Sequence, residues 1–148
     1  MKNILANLKK PLLIVGIGNP LMADDGAGAY LADLMKERNK STKCINTLDV
    51  PENYIGAIIR EEAATILLAD AAEMGEKPGT VKLYPSEKIE ETGVSTHSIS
   101  IGLIAQTLKD ETGADVFLMG IQPKVVTLGE GLTPEVEKAV LNLVECLE

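Results

Sequence analysis

Two hydrophobic periods alternate along this chain, and that alternation restricts its possible folds more than any other property. Continuous apolar runs at residues 12–17, 65–69 and 115–121 have the length of strands, and the stretches between them carry apolar residues at helical spacing. Strands without polar alternation are those covered on both faces, as in parallel sheets flanked by helices. The expected fold is therefore α/β, a three-layer α/β/α domain with a five-stranded, mostly parallel, twisted sheet. Residues 44–50 supply the fourth parallel strand. Residues 80–84 alternate polar with apolar side chains, which marks an antiparallel edge strand.

Helices fill the intervals. Ala27, Leu31, Leu34 and Met35 share one helical face, residues 54–62 form a short helix, and Ile101, Ile104, Ala105 and Leu108 mark a helix over residues 98–109. The last helix has the fullest set of signals. Thr133 is placed to cap it, Pro134 suits its first turn, Glu135 and Glu137 complement its positive end, and Val136, Val140, Leu143, Val144 and Leu147 form its stripe. At 148 residues the chain is expected to be one domain, with residues 1–11 a partly helical N-terminal lead.

Composition removes whole classes of function. A net charge of −8 lacks the basic footprint of a nucleic-acid binder, and no apolar run approaches the length of a membrane span. Residues 1–43 carry +3 and the rest −11, a split that solvated helix ends explain without a partner. Cys44 and Cys146 stand in no motif and read as reduced packing residues of a cytoplasmic protein. With His97 the only histidine, zinc fingers and imidazole-rich metalloprotease sites are excluded, so any metal site must draw mainly on carboxylates.

Ligands of open α/β sheets sit beyond the carboxyl ends of the parallel strands. The first strand is followed by Gly16-Ile17-Gly18-Asn19-Pro20-Leu21-Met22-Ala23-Asp24-Asp25-Gly26-Ala27-Gly28, the second ends at Asp49, the third at Asp70, and the fifth at Gln122-Pro123-Lys124. The glycine loop has Leu21 where a dinucleotide fingerprint needs its third glycine, and it ends in acids that repel phosphate. Acids at a helix start stabilise it through the dipole, and one of Asp24 and Asp25 needs no further role. Asp70, closing a buried strand, is costly there unless paired or liganded. His97 is expected at the start of the helix before the fifth strand, whose positive end keeps imidazole neutral. Asp25, Asp70 and His97 can together make a three-ligand site with open positions.

The run from Gly18-Asn19 to Asp24-Asp25-Gly26-Ala27-Gly28, then Asp49 with Pro51-Glu52-Asn53, Ala69-Asp70-Ala71, Thr96-His97 and Gly120-Ile121-Gln122-Pro123, resembles the nickel-iron hydrogenase maturation endopeptidases. Within them it is most similar to the type that processes the large subunit of hydrogenase 3 and related energy-converting enzymes. The resemblance implies a monomeric cytoplasmic peptidase that removes a C-terminal extension from the hydrogenase large-subunit precursor after nickel insertion. It also implies that Asp25, Asp70 and His97 are both the catalytic and the metal-contacting residues. The nickel is expected to arrive with the substrate, as a recognition element, with no permanent cofactor in the peptidase. Some relatives carry glutamate at the Asp25 position. Two other readings compete: a phosphoacceptor receiver domain, built on Asp24-Asp25, Asp70 and Lys124, and a nucleotide-binding module.

Overall fold

The computed structural model describes residues 1–96 and 100–147. In chain order the elements are α1 (Lys2–Ala6), β1 (Leu12–Ile17), α2 (Ala27–Glu37), β2 (Lys43–Leu48), α3 (Ile55–Arg60), β3 (Thr65–Ala71), β4 (Val81–Pro85), α4 (Ile101–Thr112), β5 (Asp115–Ile121) and α5 (Pro134–Cys146). A short 3-10 turn, Ala23–Gly26, stands between β1 and α2, and another, Pro51–Tyr54, precedes α3. The strands form one sheet in the order β2-β1-β3-β5-β4. All pairings are parallel except that of β4 with β5. The expected architecture is thus realised, including the antiparallel edge.

Strand geometry sends alternate side chains to opposite faces, and two hydrophobic layers follow from it. Leu12, Ile14, Leu67, Ala69, Met119 and Ile121 point to one face, under α1, α2 and α5. Leu13, Val15, Ile17, Ile66, Leu68, Val116 and Leu118 point to the other, under α3 and α4. Every residue of β1 and β3 is buried, as continuous apolar runs predict. The stripes expected on α4 and α5 are the buried ones.

Several boundaries differ from the sequence reading: β3 runs to Ala71, β4 covers Val81–Pro85 and α3 only Ile55–Arg60, and further differences bear on the site. β2 stops at Leu48, leaving Asp49 exposed, because the register slips between Gly16 and Ile17: Gly16 pairs with Asn46 but Ile17 with Leu48. The extra residue, Thr47, turns inward and donates its hydroxyl to the Gly16 carbonyl at 3.3 Å. α4 begins at Ile101, after Ser100 in the left-handed region, rather than at residue 98; the expected first residues Ser98 and Ile99 lie outside the described residues. Finally, the N-terminal lead is part of the core. Leu5 is 2% exposed and packs in the α5 layer, and Thr65 donates its hydroxyl to the Lys9 carbonyl at 2.7 Å.

Strand order fixes where a ligand is received. From β1 the chain crosses to β2 on one side, and β3 returns on the other side of β1. The loops leaving β1 and β3 therefore diverge, opening a crevice at their carboxyl ends.

Candidate active site

Asp24 and Asp25 lie in the 3-10 turn over that crevice, one turn before α2 rather than in its first turn as expected. The chain reaches this turn by folding back on itself at Gly18, whose φ is +143° and where a Cβ would run into the Asp25 carbonyl. Asn19 shapes the return. Its side-chain oxygen accepts the Leu21 N–H at 3.0 Å, and its own N–H donates to Asp25 Oδ2 at 3.2 Å. The start of α2 then settles onto the sheet at Gly28, where any Cβ would strike the carbonyl oxygens of Ile17 and Ala69. Ala69 immediately precedes Asp70, so this contact holds the acid-bearing turn against the end of β3.

The adjacent acids have different tasks. Asp24 is fully buried and faces the segment beyond β5: its Oδ2 accepts the N–H of Lys124 (2.9 Å), the N–H of Val125 (3.0 Å) and the hydroxyl of Thr133 (2.8 Å). Its Oδ1 accepts the Thr133 N–H at 2.8 Å. Burial alone would raise the pKa of this carboxyl, but the donors from Val125, Thr133 and Lys124 outweigh it and hold the pKa below the usual aspartate value. Thr133 therefore spends its hydroxyl on Asp24 rather than on capping α5, which the sequence alone does not reveal. Asp24 is the structural member of the pair. Asp25, 5% exposed, keeps to its own turn, where it accepts the Asn19 N–H.

Asp70 is fully buried in β3 opposite Gly120 of β5, one residue before the strand ends at Ala71. Beside it opens a cavity of about 230 Å³ lined by Ala71, Glu73, Ser95, Thr96, Pro123 and Val126. Thr96 is the covalent neighbour of His97, and His97 itself lies outside the described residues. Because α4 starts at Ile101, the helix-end argument for a neutral imidazole at position 97 loses its basis. Among the described residues no three His, Cys, Asp or Glu side chains cluster closely enough to hold a metal ion. Two buried carboxylates, one in the turn before α2 and one at the end of β3, have the donor chemistry for a cation that brings further ligands of its own.

The thiols offer no nucleophile. Cys44 and Cys146 are free and half-buried, and burial pushes the Cys44 thiol up to about 11, so it stays protonated at neutral pH. A receiver domain would need Lys124 to face the aspartate of the third strand, but its ammonium lies 2.7 Å from Glu135 Oε2 on the surface. In place of a nucleotide loop stands a turn of buried acids.

Fold and site together define an open α/β domain with buried acids near its topological switch, and likeness to known proteins gives the class. The family model for HycI, hydrogenase maturation protease, matches residues 29–148, a stretch that includes Asp70 and His97. The hydrogenase 3 maturation protease of Escherichia coli K12 is 32% identical over 138 residues, covering 92% of this chain and 88% of that protein. The crystal structure of a [NiFe] hydrogenase maturation protease HycI from Thermococcus kodakarensis superposes with a TM-score of 0.83 at 27% identity, over 97% of this chain and 93% of that one. The solution structure of the endopeptidase HycI from Escherichia coli gives 0.81 at 28% identity, over 94% and 90%. This chain belongs to the HycI family of hydrogenase maturation proteases.

Proposed function

We propose that this chain cleaves the C-terminal extension from a nickel-iron hydrogenase large-subunit precursor, and that it uses the nickel already held by that substrate as its licence to cut. The observation that carries this reading is the burial of two acids near the carboxyl end of the sheet, Asp25 in the turn before α2 and Asp70 next to Ala71, which lines the cavity. Carboxylate oxygens are hard donors, suited to a cation whose remaining ligands come with the substrate. His97 completes the ligand set in this proposal. Recognition then depends on a ligand that only the loaded precursor presents, which gives discrimination without a resident metal.

Hydrolysis requires a water to attack the scissile carbonyl, a base to take the proton from that water, and a proton for the departing amine. Asp25 and Asp70 are the bases within the crevice, and the carboxyl group that gains the proton is the natural donor to the leaving nitrogen. The peptidase is placed in this reading among carboxylate-dependent enzymes, acting as a monomer in the cytoplasm. Among the described residues no helix is long and apolar enough to cross a membrane.

The test uses purified nickel-loaded and nickel-free precursor, each incubated with the unaltered chain and with Asp25→Asn, Asp70→Asn and His97→Ala, the products being weighed by mass spectrometry. Cleavage confined to the loaded precursor, and reduced at least 100-fold (about 2.7 kcal/mol of barrier) by each substitution, is the expected result. Equal cleavage of the two precursors would remove nickel from recognition. Full activity of any one variant would remove that residue from the site.

A further inference from the structure

Gln122 follows the last residue of β5, is 3% exposed, and satisfies the whole hydrogen-bonding capacity of its carboxamide. Its Oε1 accepts the N–H groups of Met74 (2.8 Å) and Glu76 (3.3 Å). Its Nε2 donates to Glu73 Oε2 (2.8 Å) and to the Pro123 carbonyl (3.3 Å). Two N–H donors on one side and two acceptors on the other fix the orientation of the amide. Main-chain bonds hold the residue itself, its N–H to the Thr80 carbonyl and its carbonyl to the Gly79 N–H, each at 2.9 Å.

What this carboxamide organises is a wall of the cavity. Glu73, seized by Gln122, pairs through its backbone with Ser95: the Glu73 N–H donates to the Ser95 carbonyl at 2.8 Å and the Ser95 N–H to the Glu73 carbonyl at 3.3 Å. Ser95 and Thr96 line the cavity opposite Pro123 and Val126, and they lead directly into His97. Neither Glu73 nor Ser95 is buried, so core packing does not hold this bridge in place. The Ala72 N–H bonds the Ile121 carbonyl at 2.9 Å, and beyond that main-chain tie one buried side chain joins the end of β5 to residues 73–76.

We propose that Gln122 is a positioning residue for peptide cleavage, setting through Glu73 and Ser95 the distance between the cavity wall and the buried acids. The inference rests on the cavity receiving the substrate tail, as proposed above. Misplacing a bound peptide by about 1 Å lowers turnover by on the order of 100-fold while leaving much of its binding intact. Gln122→Glu keeps the shape but sets a carboxylate against Glu73, and the double variant Gln122→Glu, Glu73→Gln restores one donor between the pair with the roles exchanged.

Steady-state cleavage of the nickel-loaded precursor by these two variants and by Ser95→Pro, which cuts the bridge from the surface, decides the matter. Gln122→Glu and Ser95→Pro are each expected to lower kcat by about 10- to 100-fold with KM changed less than about threefold, and the double variant to recover to within about threefold of the unaltered chain. Should Gln122→Glu fail to fold, Ser95→Pro carries the comparison. Undiminished kcat in either single variant, a loss confined to KM, or a loss that the double variant does not repair would overturn the role of Gln122. Failure of the unaltered chain to cleave loaded precursor would instead overturn the proposed function.

Discussion

Asp24 shows how little adjacency in sequence says about role. Two neighbouring acids before a helix read as one for the dipole and one for chemistry; the structure gives Asp24 a third task, holding the segment beyond β5, which the sequence did not show. Its four partners lie on Lys124, Val125 and Thr133, about 100 positions away, and no local pattern points to them. Asp24→Asn must turn its NH₂ group toward at least one N–H or O–H donor, and is expected to cost about 1.5–3 kcal/mol at pH 7 in urea unfolding. The pH dependence has a definite sign. Since the native carboxyl titrates below the ordinary value of about 3.9, its contribution is whole above that pH and is lost as pH falls through the depressed native value. The gap in stability between the unaltered chain and Asp24→Asn should therefore narrow as pH drops from 5 toward 3. A gap independent of pH would show that the charge is not what the donors hold.

Elements follow their patterns where one face or two are buried, and depart from them where a polar side chain or backbone contact intervenes. β1 and β5 have the bounds expected from their apolar runs, but β2 ends early at the Thr47 bulge and α2 starts late because the 3-10 turn precedes it. The seat of α2 on the sheet depends on Gly28, where helix backbone meets the carbonyls of Ile17 and Ala69. Alanine favours a helix over glycine by about 1 kcal/mol, yet the clash at this position should reverse that preference. Gly28→Ala is expected to destabilise by about 1–3 kcal/mol through overpacking. Because the same helix start carries Asp25 past Asp70, cleavage per folded molecule should fall as well, by at least tenfold. A stabilised, fully active Gly28→Ala protein would contradict this account of the seat.

At the scale of the molecule, the α/β class, the strand count and the antiparallel edge were all written in the hydrophobic periods, as was the end of the sheet where the polar groups meet. The lead was legible only in part: Met1, Ile4, Leu5 and Leu8 stand at helical spacing, but nothing local tells that Leu5 is buried against the α5 layer. Leu5→Ala is expected to cost about 2–5 kcal/mol, measured by thermal unfolding, and a loss under about 1 kcal/mol would mark α1 as dispensable.

The contacts around Gly18 and Gly28 divide the working end of the protein into two jaws of unlike make. One jaw seats the turn of Asp25 and the end of β3 by close backbone contacts at Gly18 and Gly28, where no side chain fits, so its gape is set by the fold. The other, residues 73–76, 95–96 and 123–126, is gathered by side chains, the Gln122 carboxamide on residues 73–76 and the Asp24 carboxylate on Lys124 and Val125. A fold built in this manner can vary the rim of its cavity through the second jaw while Asp25 and Asp70 stay where the glycine contacts set them.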